Sequence, residues 1–137
     1  MPESRAHMDF VEKIYSYIAE NVSERSRGFI EVDSPDSLKK PQRTYENFVP
    51  DVLLDTEDYL IIGEAKTAND VDRNHSISQY TSYLRACDCH EGNCFIVVCV
   101  SWDTFISVKN IFRKIKQDTG SVIRVHILSE NGMEDDV

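Results

Sequence analysis

Apolar and polar positions divide this chain into blocks of recognisable period. Phe10, Ile14, Tyr17, Ile18 and Asn21 fall near one helical face, widened by Val11, Tyr15 and Val22, which predicts a helix over residues 9–24. Residues 28–33 read as a first strand. Residues 34–47 are polar, carry Pro35 and Pro41, and predict a loop. Two runs of strand formers, 49–54 and 59–62, flank the turn chemistry of Asp55-Thr56-Glu57-Asp58 and predict an antiparallel hairpin. Residues 69–74 are polar, and beyond them Ile77, Tyr80 and Leu84 recur at helical spacing, with Asp72 or Asn74 as the cap of that helix. The nearly unbroken apolar run 94–100 predicts a central strand covered on both faces. Phe105, Val108, Phe112 and Ile115 predict a helix over 103–118 that stops at Gly120, and 122–128 reads as the last strand. Residues 1–8 are expected to be a flexible leader and 129–137 a flexible acidic tail, leaving 9–128 as one domain. The order predicts an α/β sandwich with a mixed central sheet flanked by helices.

The hairpin carries the candidate chemistry. Side chains alternate along a strand, so Asp51 shares a face with Leu53, and Glu64 and Lys66 share one with Ile62. If all four polar residues form the turn, Leu54 pairs with Tyr59 and Asp51 with Ile62. Glu64 is then the diagonal neighbour of Asp51, with Cβ atoms roughly 7–8 Å apart. Two carboxylates at that separation can share a metal ion. Carboxylates at fraying, solvated strand ends are the plainer alternative.

Pro50-Asp51 followed by Glu64-Ala65-Lys66 resembles the PD-(D/E)XK nuclease superfamily, the restriction-endonuclease-like fold. Gln79 and Tyr83, four apart on one helix face, match the Q-x-x-x-Y motif of its RecB-type branch. The resemblance implies a three-layer sandwich and a metal-dependent nuclease that hydrolyses DNA. Asp51, Glu64 and the Ala65 carbonyl would hold Mg²⁺ or Mn²⁺, with Lys66 assisting catalysis. A glutamate on the first helix often joins the metal in this superfamily, which makes Glu12 and Glu20 candidates, although both lie away from the centre of the apolar stripe. Gln79 and Tyr83 would position the nucleic acid. Lys39, Lys40, Arg43 and Arg73 are further candidates for phosphate contact, against the alternative of a solvated loop. Lys109, Arg113 and Lys116 form a basic ridge that either meets DNA or is solvated.

The sequence of 137 residues, 41% hydrophobic, suits a single domain with one core. The net charge of −9 argues against a protein that coats DNA by itself, since that affinity comes from Lys and Arg on phosphates. A homodimer or a larger complex would then supply DNA affinity. The same balance keeps open a non-catalytic nucleic-acid-binding or scaffold subunit on the same fold. No apolar run is long enough to span a membrane and no secretory signal is visible, so a cytoplasmic protein without membrane partners is expected. Cys87, Cys89, His90 and Cys94 cluster, but their spacing is poor for zinc, and buried free thiols are the simpler reading.

Overall fold

A computed structural model describes residues 5–34, 37, 39–41, 45–67 and 73–137, with Arg73 described by its backbone. Helix α1 spans Arg5–Glu20, α2 Glu24–Arg27, α3 Arg73–Asp88 and α4 Phe105–Thr119. The strands are β1 (Glu31–Val32), β2 (Val52–Asp55), β3 (Tyr59–Lys66), β4 (Asn93–Val100), β5 (Arg124–Ser129) and β6 (Glu134–Asp136). They form one six-stranded sheet in the order β1-β2-β3-β4-β5-β6. The β1–β2 and β2–β3 pairs are antiparallel, β3–β4 and β4–β5 are parallel, and β5–β6 is antiparallel.

Both faces of the sheet are covered, as the unbroken apolar run of β4 requires. On one face Leu53, Ile62, Val98 and Ile127 pack against Tyr80, Leu84, Val108 and Phe112 of α3 and α4. On the other, Val52, Leu54, Ile61 and Val97 pack against Phe10, Val11, Ile14 and Ile18 of α1. The predicted α/β architecture with a mixed sheet is therefore observed. Among the described residues no helix is long and apolar enough to cross a membrane.

Several boundaries differ from expectation. Helix α1 begins at Arg5, so residues 5–8 are helical and not a leader, and it ends four residues early. There Asn21 Nδ2 donates to the Tyr17 carbonyl at 2.7 Å, and Ser23 caps the separate short helix α2. The turns Phe29 N–H to Ser26 O and Ile30 N–H to Arg27 O occupy the approach to β1 and leave that strand short. Gly120 does close α4, in the left-handed region at φ 72°, with its N–H bonded to the Lys116 carbonyl at 2.9 Å.

Within the expected flexible tail, Glu134–Asp136 form a strand paired with β5. Its side chains alternate between two polar environments. Asp135 pairs with Lys109 on the α4 side, while Glu134 and Asp136 lie beside His126 of β5, Asp136 at 2.6 Å. Lys116 Nζ also donates to the Val137 carbonyl at 2.8 Å. Two of the three residues of the expected basic ridge thus hold the C-terminal strand. Acidic residues are poor strand formers in isolation; here opposite charges on both faces compensate.

Candidate active site

The hairpin closes more tightly than its composition suggests. Asp55 belongs to the strand and pairs with Leu60, Leu54 pairs with Ile61, Leu53 with Ile62 and Val52 with Gly63. Thr56 N–H bonds the Tyr59 carbonyl at 2.8 Å, and the Asp58 carbonyl accepts from Asn93 N–H at 2.8 Å, which draws the turn in to Glu57-Asp58. The expected register is therefore corrected by two residues. A shift of two preserves the faces, and Asp51, just outside the ladder, bonds Gly63 and Ala65 so that its carboxyl lies beside that of Glu64.

The start of β2 and the end of β3 thus bring three charged side chains together. Asp51, Glu64 and Lys66 are 7%, 6% and 7% exposed. Asp51 N–H donates to the Gly63 carbonyl at 3.1 Å, and Asp51 Oδ2 accepts from Ala65 N–H at 2.9 Å. The N–H and C=O of one strand residue point to the same side, so the Ala65 carbonyl also faces the Asp51 side. Lys66 Nζ lies 4.0 Å from Glu64 Oε1. Burial, and then the nearby Asp51 charge and a hydrogen bond with its carboxyl, push the Glu64 carboxyl well above its usual range, while Lys66 and Tyr83 oppose the shift.

Helix α3 supplies the lid. Tyr83 Oη donates to Glu64 Oε2 at 3.0 Å, and Gln79 Nε2 donates to Tyr83 Oη at 3.2 Å. The Tyr83 hydroxyl is held protonated, first by burial and then by the Glu64 charge. Gln79 and Tyr83 therefore reach the pair in series. Both are buried, and they position Glu64 in this structure instead of presenting a surface to substrate. Gln79 Oε1 is buried with no hydrogen-bond partner among the described residues. A two-residue turn at Glu46-Asn47, with φ of 52° and 75°, lets Tyr45 and Phe48 pair and pack edge-on against the Tyr83 ring.

The residue of α1 that reaches the pair is His7, whose Nε2 lies 3.4 Å from Asp51 Oδ1. It extends the buried stripe of Val11, Ile14 and Ile18 by one turn, and that periodicity was the available signal. Glu12 is exposed and lines a groove with Tyr15, Ser16 and Val32; Glu20 is exposed at the end of α1. Neither joins the carboxyl pair, because the apolar stripe that seats α1 turns both outward. Lys39 Nζ donates to the Gly28 carbonyl at 3.0 Å, beside β1, and Lys40 is exposed. Arg43 and Asp72 lie outside the described residues, and Arg73 opens α3. Asn74 is inside α3 and not at its cap.

The cysteine cluster is built into the backbone. His90 Nδ1 accepts from Gly92 N–H at 2.9 Å, so its Nε2 carries the hydrogen facing the Thr56 carbonyl at 2.9 Å. Cys87 is buried in the α3 core and Cys89 is exposed.

The donor set at Asp51 and Glu64 is all oxygen, which suits a hard divalent cation. A buried carboxyl pair in which one member is pushed toward its protonated form is also the arrangement a cation would relieve. Among the described residues, no group of three or more His, Cys, Asp and Glu side chains forms a metal cage. Mg²⁺ commonly needs only one or two carboxylates, completing its shell with waters and substrate phosphates. No family model matches the chain, and neither a curated protein nor a solved structure matches it.

Proposed function

We propose that the chain is a metal-dependent nuclease on a restriction-endonuclease-like fold, hydrolysing phosphodiester bonds of DNA. The observation that carries this reading is the approach of Asp51, Glu64 and Lys66 at one end of the β2–β3 hairpin. Asp51, Glu64 and the Ala65 carbonyl would hold the cation. Bound Mg²⁺ or Mn²⁺ would supply an acidified water and polarise the phosphoryl group. Lys66 places a positive charge where negative charge grows on the phosphate. Tyr83, braced by Gln79, orients the Glu64 carboxyl. Asp51 is oriented by the Ala65 N–H and lies against His7.

Supercoiled, linear duplex, single-stranded and four-way-junction DNA, each with Mg²⁺, Mn²⁺ or EDTA, form the test. Cleavage should require the metal, and Asp51→Ala or Glu64→Ala should lower it by at least about a hundredfold. Cleavage at the wild-type rate by either variant would remove the site assignment. The burial of all three charged side chains favours a second reading, a non-catalytic nucleic-acid-binding or scaffold subunit. Metal binding without cleavage of any substrate would select it.

A further inference from the structure

The parallel strands β3, β4 and β5 end on a common rim, with Lys66 opposite Val100 and Val100 opposite Ser129. The candidate active site occupies the β3 position on that rim. At the β4 position the chain turns through Trp102–Thr104 into α4, and Trp102 is 61% exposed. It lies two residues beyond Val100, the register partner of Lys66. This tryptophan does not sit on a frayed end. Its N–H donates to Glu130 Oε1 at 2.8 Å, and the Thr104 N–H and hydroxyl both bond the Ser101 carbonyl, at 2.9 and 3.0 Å. The turn fixes the backbone while the ring stays in water. Ile106, one turn on, is 59% exposed. Beyond it on the solvent side of α4 comes Asn110, whose Oδ1 accepts from Arg113 at 3.1 Å. An exposed aromatic residue in the turn is therefore followed by an exposed aliphatic side chain and a guanidinium on α4.

We propose that Trp102 is a stacking platform for an unpaired base, so that the substrate of this site is single-stranded nucleic acid, or a single-stranded end or flap, crossing the rim from Lys66 onto α4. This rests on the nuclease reading of the Asp51–Glu64 site. Every base has a π-face, and stacking on an exposed indole needs no positive charge. A chain with net charge −9 gains less from counterion release, and stacking is a source of affinity that this charge does not weaken. Paired bases inside a duplex have their faces covered by their neighbours and offer the ring nothing.

The chain contains a single tryptophan, so its emission reports this position alone. Oligo(dT) of about 20 nucleotides, titrated in EDTA, should quench it saturably, and a blunt hairpin duplex should not. By anisotropy of labelled oligo(dT), Trp102→Ala should bind about five- to a hundredfold more weakly, while Trp102→Phe stays within a few-fold of wild type. Unchanged melting of both variants would assign the loss to the ring and not to folding. Failure of oligo(dT) to bind, saturation without quenching, or alanine binding like wild type would each overturn the proposal. So would an emission change that depends on protein concentration alone, which would make the ring a contact between copies. The two readings fail separately. Metal-dependent cleavage with kcat/KM unaffected by Trp102→Ala on single strands would remove the platform and keep the nuclease. Quenching that depends on Trp102, without cleavage in any metal, would keep the platform and remove the nuclease.

Discussion

Glu64 is held toward its neutral form first by burial and then by the charge of Asp51, against the pull of Lys66. Between the ordinary glutamate pKa and the raised one, the folded chain keeps a proton that the unfolded chain has released, so stability falls as pH rises through that window. Below the ordinary value both states are protonated and the penalty is absent. Glu64→Gln, which cannot ionise, should therefore melt a few degrees above wild type in EDTA at pH 7–8, with the gain shrinking toward pH 4. Thermal melts across that range check the sign: a gain that grows on acidification would contradict the burial argument. The residues of the pair were legible because alternation fixes a strand's faces whatever its register. Their register was not, because the turn that sets it is also bonded from a distant strand, Asn93 N–H to the Asp58 carbonyl.

At the scale of elements, Gly63 sets how closely α1 approaches the sheet. A Cβ there would meet Ile14 Cγ2 at 2.5 Å and Val52 Cβ at 3.0 Å. Gly63→Ala should cost about 1–3 kcal/mol, read as a lower urea midpoint. Ile14→Ala makes room, so the double variant should be less destabilised than the sum of the two singles. Strict additivity would mean that α1 does not rest on Gly63. Helix periodicity made α1, α3 and α4 readable, and the Gly120 stop with them. The stripe through Val11, Ile14 and Ile18 carries on to His7, but a short polar start reads as a leader when judged by composition. Strand β6 was unreadable for a different reason. Its carboxylates are stabilised by Lys109, His126 and Arg124, which only the folded sheet brings within reach. Exposure of Trp102 is likewise a property of how β4 turns into α4 and not of its neighbours in sequence.

For the molecule as a whole, the net charge of −9 bears on the proposed binding of nucleic acid. Several cations are already engaged: Lys109 with Asp135, Lys114 with Asp118, Arg85 with Glu46 and Arg124 with Asp136. With the net charge at −9 as well, the proposed binding should neutralise few phosphates, and the slope of log K against log salt should be shallow, no steeper than about −3. Anisotropy titrations between about 50 and 200 mM salt measure it, and a slope typical of a many-phosphate contact surface would contradict this account. The sheet order has a consequence for how the molecule comes into being. Each strand lies beside the one made just before it, but only the β2–β3 and β5–β6 pairs close short loops, which form early and fast, while the parallel β3–β4 and β4–β5 pairs close across α3 and α4. The hairpin bearing Asp51 and Glu64 can close while α3 is still unmade. Two carboxylates then meet in water, fully hydrated, and the cost of their proximity falls due only when Tyr83 docks and removes the solvent. Sealing of the acidic pair therefore waits on α3, and a divalent cation held there, as proposed, would ease that step.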